Sequence, residues 1–244
     1  MTRVHYKDLG RIGYQEAWDL QEALMQEGLA IKAARISEPG SAIAQQEIQQ
    51  QLLVVEHPHV YTLGKSGAIE NLLINNQLMQ ELGVSLYKTN RGGDITYHGP
   101  GQLVAYPVLD LEAFKTDLGW YMRSLEEVII QTIAIYGIKG ERLPGSTGVW
   151  LDTNDLSKAR KICALGVKCS RWITIHGLAL NVNTDLSFFG HIVPCGITDK
   201  GVTSIAKELG RPVDENEVKQ EFLKQFAIIF DTAIIPETLI AHDQ

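Results

Sequence analysis

Between Asn90 and Gln102 the chain reads Asn-Arg-Gly-Gly-Asp-Ile-Thr-Tyr-His-Gly-Pro-Gly-Gln. Four glycines within ten residues cost too much backbone entropy for an ordinary strand, so this run must bend, bulge or serve another purpose. One reading is a loop whose backbone approaches a ligand closely, with Arg91 and His98 as polar contacts. The other is a hairpin with bulges. A dinucleotide-binding fingerprint is excluded, because the glycines do not fall as GxGxxG after a strand.

Around this run the apolar pattern sets the elements. Ala17, Leu20, Leu24 and Ile31 recur at helical spacing among Gln and Glu, which predicts an amphipathic helix from Tyr14 to about Lys32. Gln51–Glu56 and Val60–Leu63 read as short strands around a turn at His57-Pro58, and Leu103–Leu109 as a buried strand. Leu118–Tyr136 has helical period, with Gly137 placed to end it. Gly148–Leu151, Ile162–Lys168 and Trp172–Val182 are apolar and β-branched and read as strands of one sheet. Two helices follow, the first from near Thr203 to Gly210. The second starts at a candidate cap, Asp214, has Glu217 in the position of a capping box, and runs to about Phe230. The regular βαβ alternation of a doubly wound fold is missing. The expected class is α+β, or mixed α/β, on a largely antiparallel sheet flanked by helices. A single domain over residues 1–244 is expected, with room for a small C-terminal lobe from about Thr198.

The 244-residue chain carries a formal net charge of −7, which argues against general binding to nucleic acid or an anionic membrane. No apolar run approaches the roughly 18 to 20 residues of a membrane span. The N-terminus lacks an apolar core of signal-peptide type, so a cytoplasmic protein is expected. Three cysteines, Cys163, Cys169 and Cys195, without a CxxC pair suit a reducing compartment and give no zinc pattern.

Gly64-Lys65-Ser66 looks like the tail of a phosphate-binding loop, but His59 stands where that motif needs its first glycine, so the match fails. His57 and His59 are weighed as metal ligands against turn and packing roles. His176 interrupts an apolar strand beside the small residues Gly177 and Ala179, leaving space for an apolar ligand along the backbone. Cys195, in Pro194-Cys195-Gly196-Ile197, sits in a turn that can present sulfur to a cleft; the alternative is a small buried hydrophobe. A nucleophilic thiol needs a nearby cation or base. From Leu156 to Thr184 there is no Asp or Glu, while Lys158, Arg160, Lys161, Lys168 and Arg171 all fall there. That run is either a solvated face or a dock for an acidic partner. Lys161 opens an apolar strand, so it is the cation best placed to turn into a pocket.

Taken together, Arg91–His98, Gly99–Pro107, Gly148-Val149-Trp150, Lys161–Gly166, His176–Asn181 and Pro194–Ile197 resemble, in order, the signature of the lipoyl(octanoyl) transferases. The likeness runs from about Gln51 to Ala206, and Cys163 stands where the family often has alanine. It implies the fold of the biotin and lipoate protein ligases. The implied reaction moves an octanoyl group from acyl carrier protein to the lysine amine of lipoyl domains, in 2-oxoacid dehydrogenase complexes and the glycine cleavage H protein. The resemblance makes Cys195 the acyl-thioester nucleophile and Lys161 the group that lowers its pKa and shuttles protons. Substrate contacts then fall on Arg91, Gly92, Gly93, Asp94, Ile95, Thr96, Tyr97 and His98, on Ala164, Leu165 and Gly166, and on Gly177, Leu178 and Ala179. No cofactor, metal or ATP is implied, because a thioester is already activated. Rival readings are an ATP-dependent lipoate or biotin ligase, a cysteine hydrolase using Cys195 and His176, and a non-catalytic lipoyl-domain binder.

Overall fold

The computed structural model describes residues 1–193 and 201–237. The chain opens with β1 (Thr2–Arg11) and α1 (Tyr14–Ser37), then β2 (Gln51–Glu56), β3 (Val60–Leu63), α2 (Asn76–Glu81), β4 (Ser85–Lys88), β5 (Ile95–His98) and β6 (Gln102–Val108). After α3 (Leu118–Ala134) come β7 (Glu141–Leu143), β8 (Ser146–Leu151), β9 (Arg160–Ser170) and β10 (Ile173–Asn181). β11 (Gly201–Val202), α4 (Ile205–Leu209), α5 (Glu215–Ile229) and β12 (Thr232–Pro236) complete it. The strands form one large sheet in the order β12-β1-β2-β6-β10-β9-β8-β7, with β11 added to β9, and a small sheet β4-β3-β5. Contacts from β2 through β7 are antiparallel, whereas β12, β1 and β2 run parallel to one another. The class is the mixed, largely antiparallel one expected.

Helices cover both faces of the large sheet. On one face α1 buries Ala17 and Met25 against Val104, Tyr106, Ile173, Ile175 and Ala179. On the other, Tyr121, Leu125 and Ile129 of α3 meet Leu178, Leu180 and the Phe222, Phe226 and Phe230 ladder of the α5 end. Among the described residues, no helix is long and apolar enough to cross a membrane.

Several differences from the sequence reading have local causes. α1 runs to Ser37, past Lys32, whose ammonium is buried on Asp110 (2.7 Å) and the Arg171 carbonyl (2.9 Å). β2 and β3 are not partners: the turn at His57-Pro58 carries the chain from the large sheet to the small one. Trp172 is not in a strand. It and Arg171 have φ of 69° and 46°, the two left-handed positions of a tight hairpin turn closing β9 on β10. At α5 the Asp214 carboxylate accepts from the Asn216 N–H, one position short of the expected capping-box bond to Glu217.

β10 carries one irregularity that matters for function. Its ladder with β6 covers Leu178–Asn181, and the bridge Ile173–Asp110 keeps the same register farther along. That register sets His176 opposite Pro107, which has no N–H to donate. Here the strand breaks its ladder: His176 takes φ 59°, and its own N–H donates to Gln21 of α1 at 2.8 Å. Gly177 makes the detour possible, since a Cβ there would stand 2.1 Å from the Ala105 carbonyl oxygen. Gly177→Ala is therefore expected to lower stability by about 3 kcal/mol through overpacking. Urea denaturation would check this, and an unchanged midpoint would show that the two strands are not in close contact.

Candidate functional site

A cleft opens where the glycine-rich run lies across β9 and β10. The loop from Arg91 to Asp94 is fastened to both sheets by backbone. Gly92 N–H donates to the Val167 carbonyl of β9 (2.9 Å), while Gly64, Lys65 and Ser66 N–H groups donate to the carbonyls of Asp94, Arg91 and Gly93. Those three N–H groups are thus occupied, which explains physically why the Gly-Lys-Ser run is no phosphate cradle. Arg91 is buried, its guanidinium donating to the Thr62 hydroxyl and carbonyl and to the Gly92 carbonyl. Asp94 serves the loop itself, accepting from the Ile95 N–H and the Asn71 amide, both at 2.6 Å.

Of the residues singled out in the sequence, Arg91, Gly93, Asp94, Ile95, Thr96, His98, Lys161, Ala164, Leu165, Gly166, Gly177, Leu178 and Ala179 line this cleft. The floor is made of small residues, with Ala164 paired to Ala179 and Gly166 to Gly177. A Cβ at Gly166 would press to 2.8 Å on the Gly92 carbonyl oxygen. Gly92 and Tyr97 do not line it. Gly92 is the backbone link to β9, and Tyr97 is buried beneath, stacked on Phe188 with its hydroxyl 2.7 Å from His59 Nδ1. Cys195 lies outside the described residues, as does all of Pro194–Lys200. The chain resumes at Gly201, which lines the cleft and pairs with Arg160, while Val202 pairs with Lys161.

Lys161 stands at the half-exposed rim. Its ammonium lies 4.6 Å from the centroid of the Trp150 ring, an arrangement that attracts a cation to the ring face. Its stem runs over Gly148, where a Cβ would come within 3.3 Å of the lysine Cε and 2.6 Å of the Cys163 carbonyl oxygen. Gly148 holds φ 119°, open only to glycine, and its N–H is pinned by the buried Glu126 carboxylate of α3 at 3.1 Å. Cys163 behind it is a poor nucleophile, because burial pushes its thiol far up.

The inner wall is polar. His98 Nδ1 meets Gln102 Oε1 (2.8 Å), the Gln102 amide donates to Asn181 Oδ1 (2.9 Å), and the Asn181 amide donates to the Thr203 carbonyl (2.9 Å). The chain of donors leaves Nδ1 of His98 protonated and Nε2 bare. His57 sits between the Ile12 carbonyl and the Tyr106 hydroxyl, so His57 and His59 have separate partners and do not converge as metal ligands. Burial lowers the pKa of His57 to about 4, and burial with neighbouring positive charge lowers those of His98 and His176 to about 3.

The basic run is not a free patch. Lys158 pairs with Asp155, Lys168 with Glu22 of α1, and Arg160 with Glu208 and Asp152. Asp155 and Asp152 flank the stretch Leu156–Thr184 in sequence, whereas Glu22 and Glu208 are brought to it only by folding. Reading the sequence also gave no role to Tyr14, Gln102, Tyr106, Trp150, Asn181 and Phe189, which line the cleft. Four of them lie inside the motif runs quoted above, so the signal was present without an assignment.

A family model described as the lipoyl protein ligase A/B catalytic domain matches residues 13–227. The chain belongs to that family. It is 52% identical over 233 residues to an octanoyltransferase of Flavobacterium psychrophilum, covering 95% of this chain and 98% of that protein. An octanoyltransferase of Solibacter usitatus is 47% identical and covers 99% of both chains. Among solved structures, a bipartite lipoate protein ligase from Thermoplasma acidophilum superposes with TM-score 0.67 at 16% identity, covering 98% of this chain and 88% of that one. A lipoate-protein ligase A bound with ATP gives TM-score 0.64 at 16% identity over 98% and 90%. The lipoate ligase fold is thus shared, and this member of the family is an acyltransferase.

In this A/B-family chain the three depressed histidines tie stability to pH. Unfolded histidines take up protons below about pH 6.5 while the folded rings stay neutral, so stability is complete above that pH and is lost as pH falls toward 4. The slope should approach about 1.4 kcal/mol per pH unit for each histidine, and urea melts at stepped pH would measure it. A flat profile from pH 6.5 to 4.5 would contradict the buried neutral rings.

Proposed function

We propose that this chain transfers an octanoyl group from octanoyl-acyl carrier protein, through a thioester on Cys195, to the lysine amine of lipoyl domains. The acceptors on this reading are the lipoyl domains of 2-oxoacid dehydrogenase complexes and the glycine cleavage H protein. The observation that carries the reading is near-full-length likeness, at about half identity, to proteins named octanoyltransferases. A cleft with a small-residue floor and a lysine at its rim supports it.

The chemistry needs two displacements at one carbonyl carbon. The Cys195 thiolate attacks the carrier thioester, and the carrier thiolate departs with the electrons of the broken C–S bond. The acceptor amine then attacks the new thioester, loses a proton, and the Cys195 sulfur leaves. An ammonium near the sulfur favours thiolate, and an unperturbed thiol is only a few per cent ionised at pH 7. Lys161 is the proposed cation for the first step and the proton acceptor for the second. The β11 pairing supports this role, because Gly201 and Val202 follow the Cys195 segment and lie against Arg160 and Lys161. Arg91, Gly93, Asp94, Ile95, Thr96 and His98, with Ala164–Gly166 and Gly177–Ala179, are the proposed substrate contacts, whereas Gly92 and Tyr97 hold the loop and support it from below.

Intact-mass analysis with octanoyl-carrier and no ATP is expected to show one octanoyl adduct, absent from Cys195→Ala. An adduct that persists in Cys195→Ala, or forms only with ATP, would sink the reading. Lys161→Arg keeps the charge but is a poor proton acceptor. Its acylation half-reaction should survive better than transfer to the lipoyl domain, and equal loss of both would argue against a separate base role.

A further inference from the structure

Simple alternation along β9 would put Lys161 on the wrong face of the sheet. Cys163 packs in the core beneath α3 and α5, so a regular strand would send Lys161, two residues earlier, into that core as well. One bulge prevents this. The pairing of β8 with β9 passes from Val149–Cys163 directly to Trp150–Lys161, which leaves Ile162 as an extra residue on β9. Ile162 and Cys163, though adjacent, are both packed in the same core, and Lys161 emerges among the residues lining the cleft. The partner strand agrees: Val149 and Leu151 lie in the core, while Trp150 between them lines the cleft beside the lysine.

The residue that fixes the bulge stands just before it on β8. Gly148 packs on the Cys163 carbonyl so tightly that a Cβ would come within 2.6 Å of its oxygen, and the Lys161 stem crosses the same glycine. Its N–H donates to the Glu126 carboxylate of α3 at 3.1 Å. Glu126 is fully buried. One of its oxygens takes that N–H, and the other takes Arg123 at 2.6 Å and Arg142 at 3.1 Å. The arginines have alternatives, since Arg123 is exposed and Arg142 also pairs with Glu127 at 2.7 Å. Gly148 has none as good: its hydrogen bond is buried, and an orphaned buried donor bears its full desolvation penalty.

We infer that Glu126 is a positioning residue for the transfer chemistry: by holding the Gly148 N–H it fixes the bulge that turns Lys161 onto the cleft face. The inference rests on the octanoyl-transfer reading, in which Lys161 is the cation beside the Cys195 sulfur.

The test reads that sulfur, because a nearby ammonium favours its thiolate. Alkylation of Cys195 by iodoacetamide is followed by peptide mass at stepped pH in wild type, Arg142→Met, Glu126→Met/Arg142→Met and Lys161→Met. The double variant guards against a folding failure, because it removes Arg142 together with the acid it would otherwise lack. Arg142→Met keeps Glu126 on Gly148 and is expected to keep the wild-type midpoint. In the double variant the midpoint is expected to rise by about one pH unit, toward that of Lys161→Met, so that alkylation at neutral pH slows about tenfold. A wild-type midpoint in the double variant, or an equal rise in Arg142→Met, overturns the inference and leaves the transfer reading standing. A wild-type midpoint in Lys161→Met removes Lys161 as the cation of that reading, and this inference falls with it.

Discussion

The cleft depends on one backbone contact between two sheets. Gly92 N–H reaches the Val167 carbonyl at 2.9 Å, and that approach is open only because Gly166 presents no side chain to the loop above it. The small sheet is thereby held against the large one with a gap between them. Arg91 stiffens the contact from within: its buried guanidinium spends its donors on Thr62 and on the loop itself. A buried charge satisfied in this way holds geometry more than it adds stability, because desolvation offsets much of the attraction.

Within that gap the two walls have opposite character. The floor of β9 and β10 offers alanines and glycines, a surface on which an extended apolar chain can lie close to backbone. The inner wall offers His98 and His176, with His57 buried behind them against Tyr106, each ring having at least one nitrogen engaged and each kept neutral by burial. Neutral rings in a low-dielectric site act as directional hydrogen-bonding groups without imposing charge on a hydrocarbon ligand. The rim keeps the charge, on Lys161 over Trp150. Inside, the buried Arg91 is held by Thr62 and its own loop, a distribution that suits the acyl transfer proposed for this cleft.

Legibility from sequence followed the range of the interactions. β2 and β3 were found to the residue, and the core strands β8, β9 and β10 to within two, because apolar runs bounded by turn residues are local signals. β1 was missed. Its ten residues are mostly polar and half-buried, with only Val4 fully enclosed, and its partners β2 and β12 lie about 50 and 230 residues away. β4 and β5 escaped notice for the same reason: they are four-residue strands that exist only as neighbours of β3. The basic run misled because its counter-ions, Glu22 and Glu208 among them, are distant in sequence.

By itself the sequence determined the layout of helices and core strands, the family, and that the glycine loop, Lys161 and the small residues of β9 and β10 belong to one set of motifs. These follow from local periodicity and from motif order, which survive without knowledge of what folds against what. Tertiary structure decided the rest. It chose which glycine-loop residues face the cleft and which, like Tyr97, support it from below. It turned a strand histidine inward by placing proline opposite it, and paired two of the apparent cations, Arg160 and Lys168, with acids from other elements. The physical reason is the same in each case: hydrogen bonding, close approach and charge pairing depend on distance in space, which the chain establishes only when its ends are brought together.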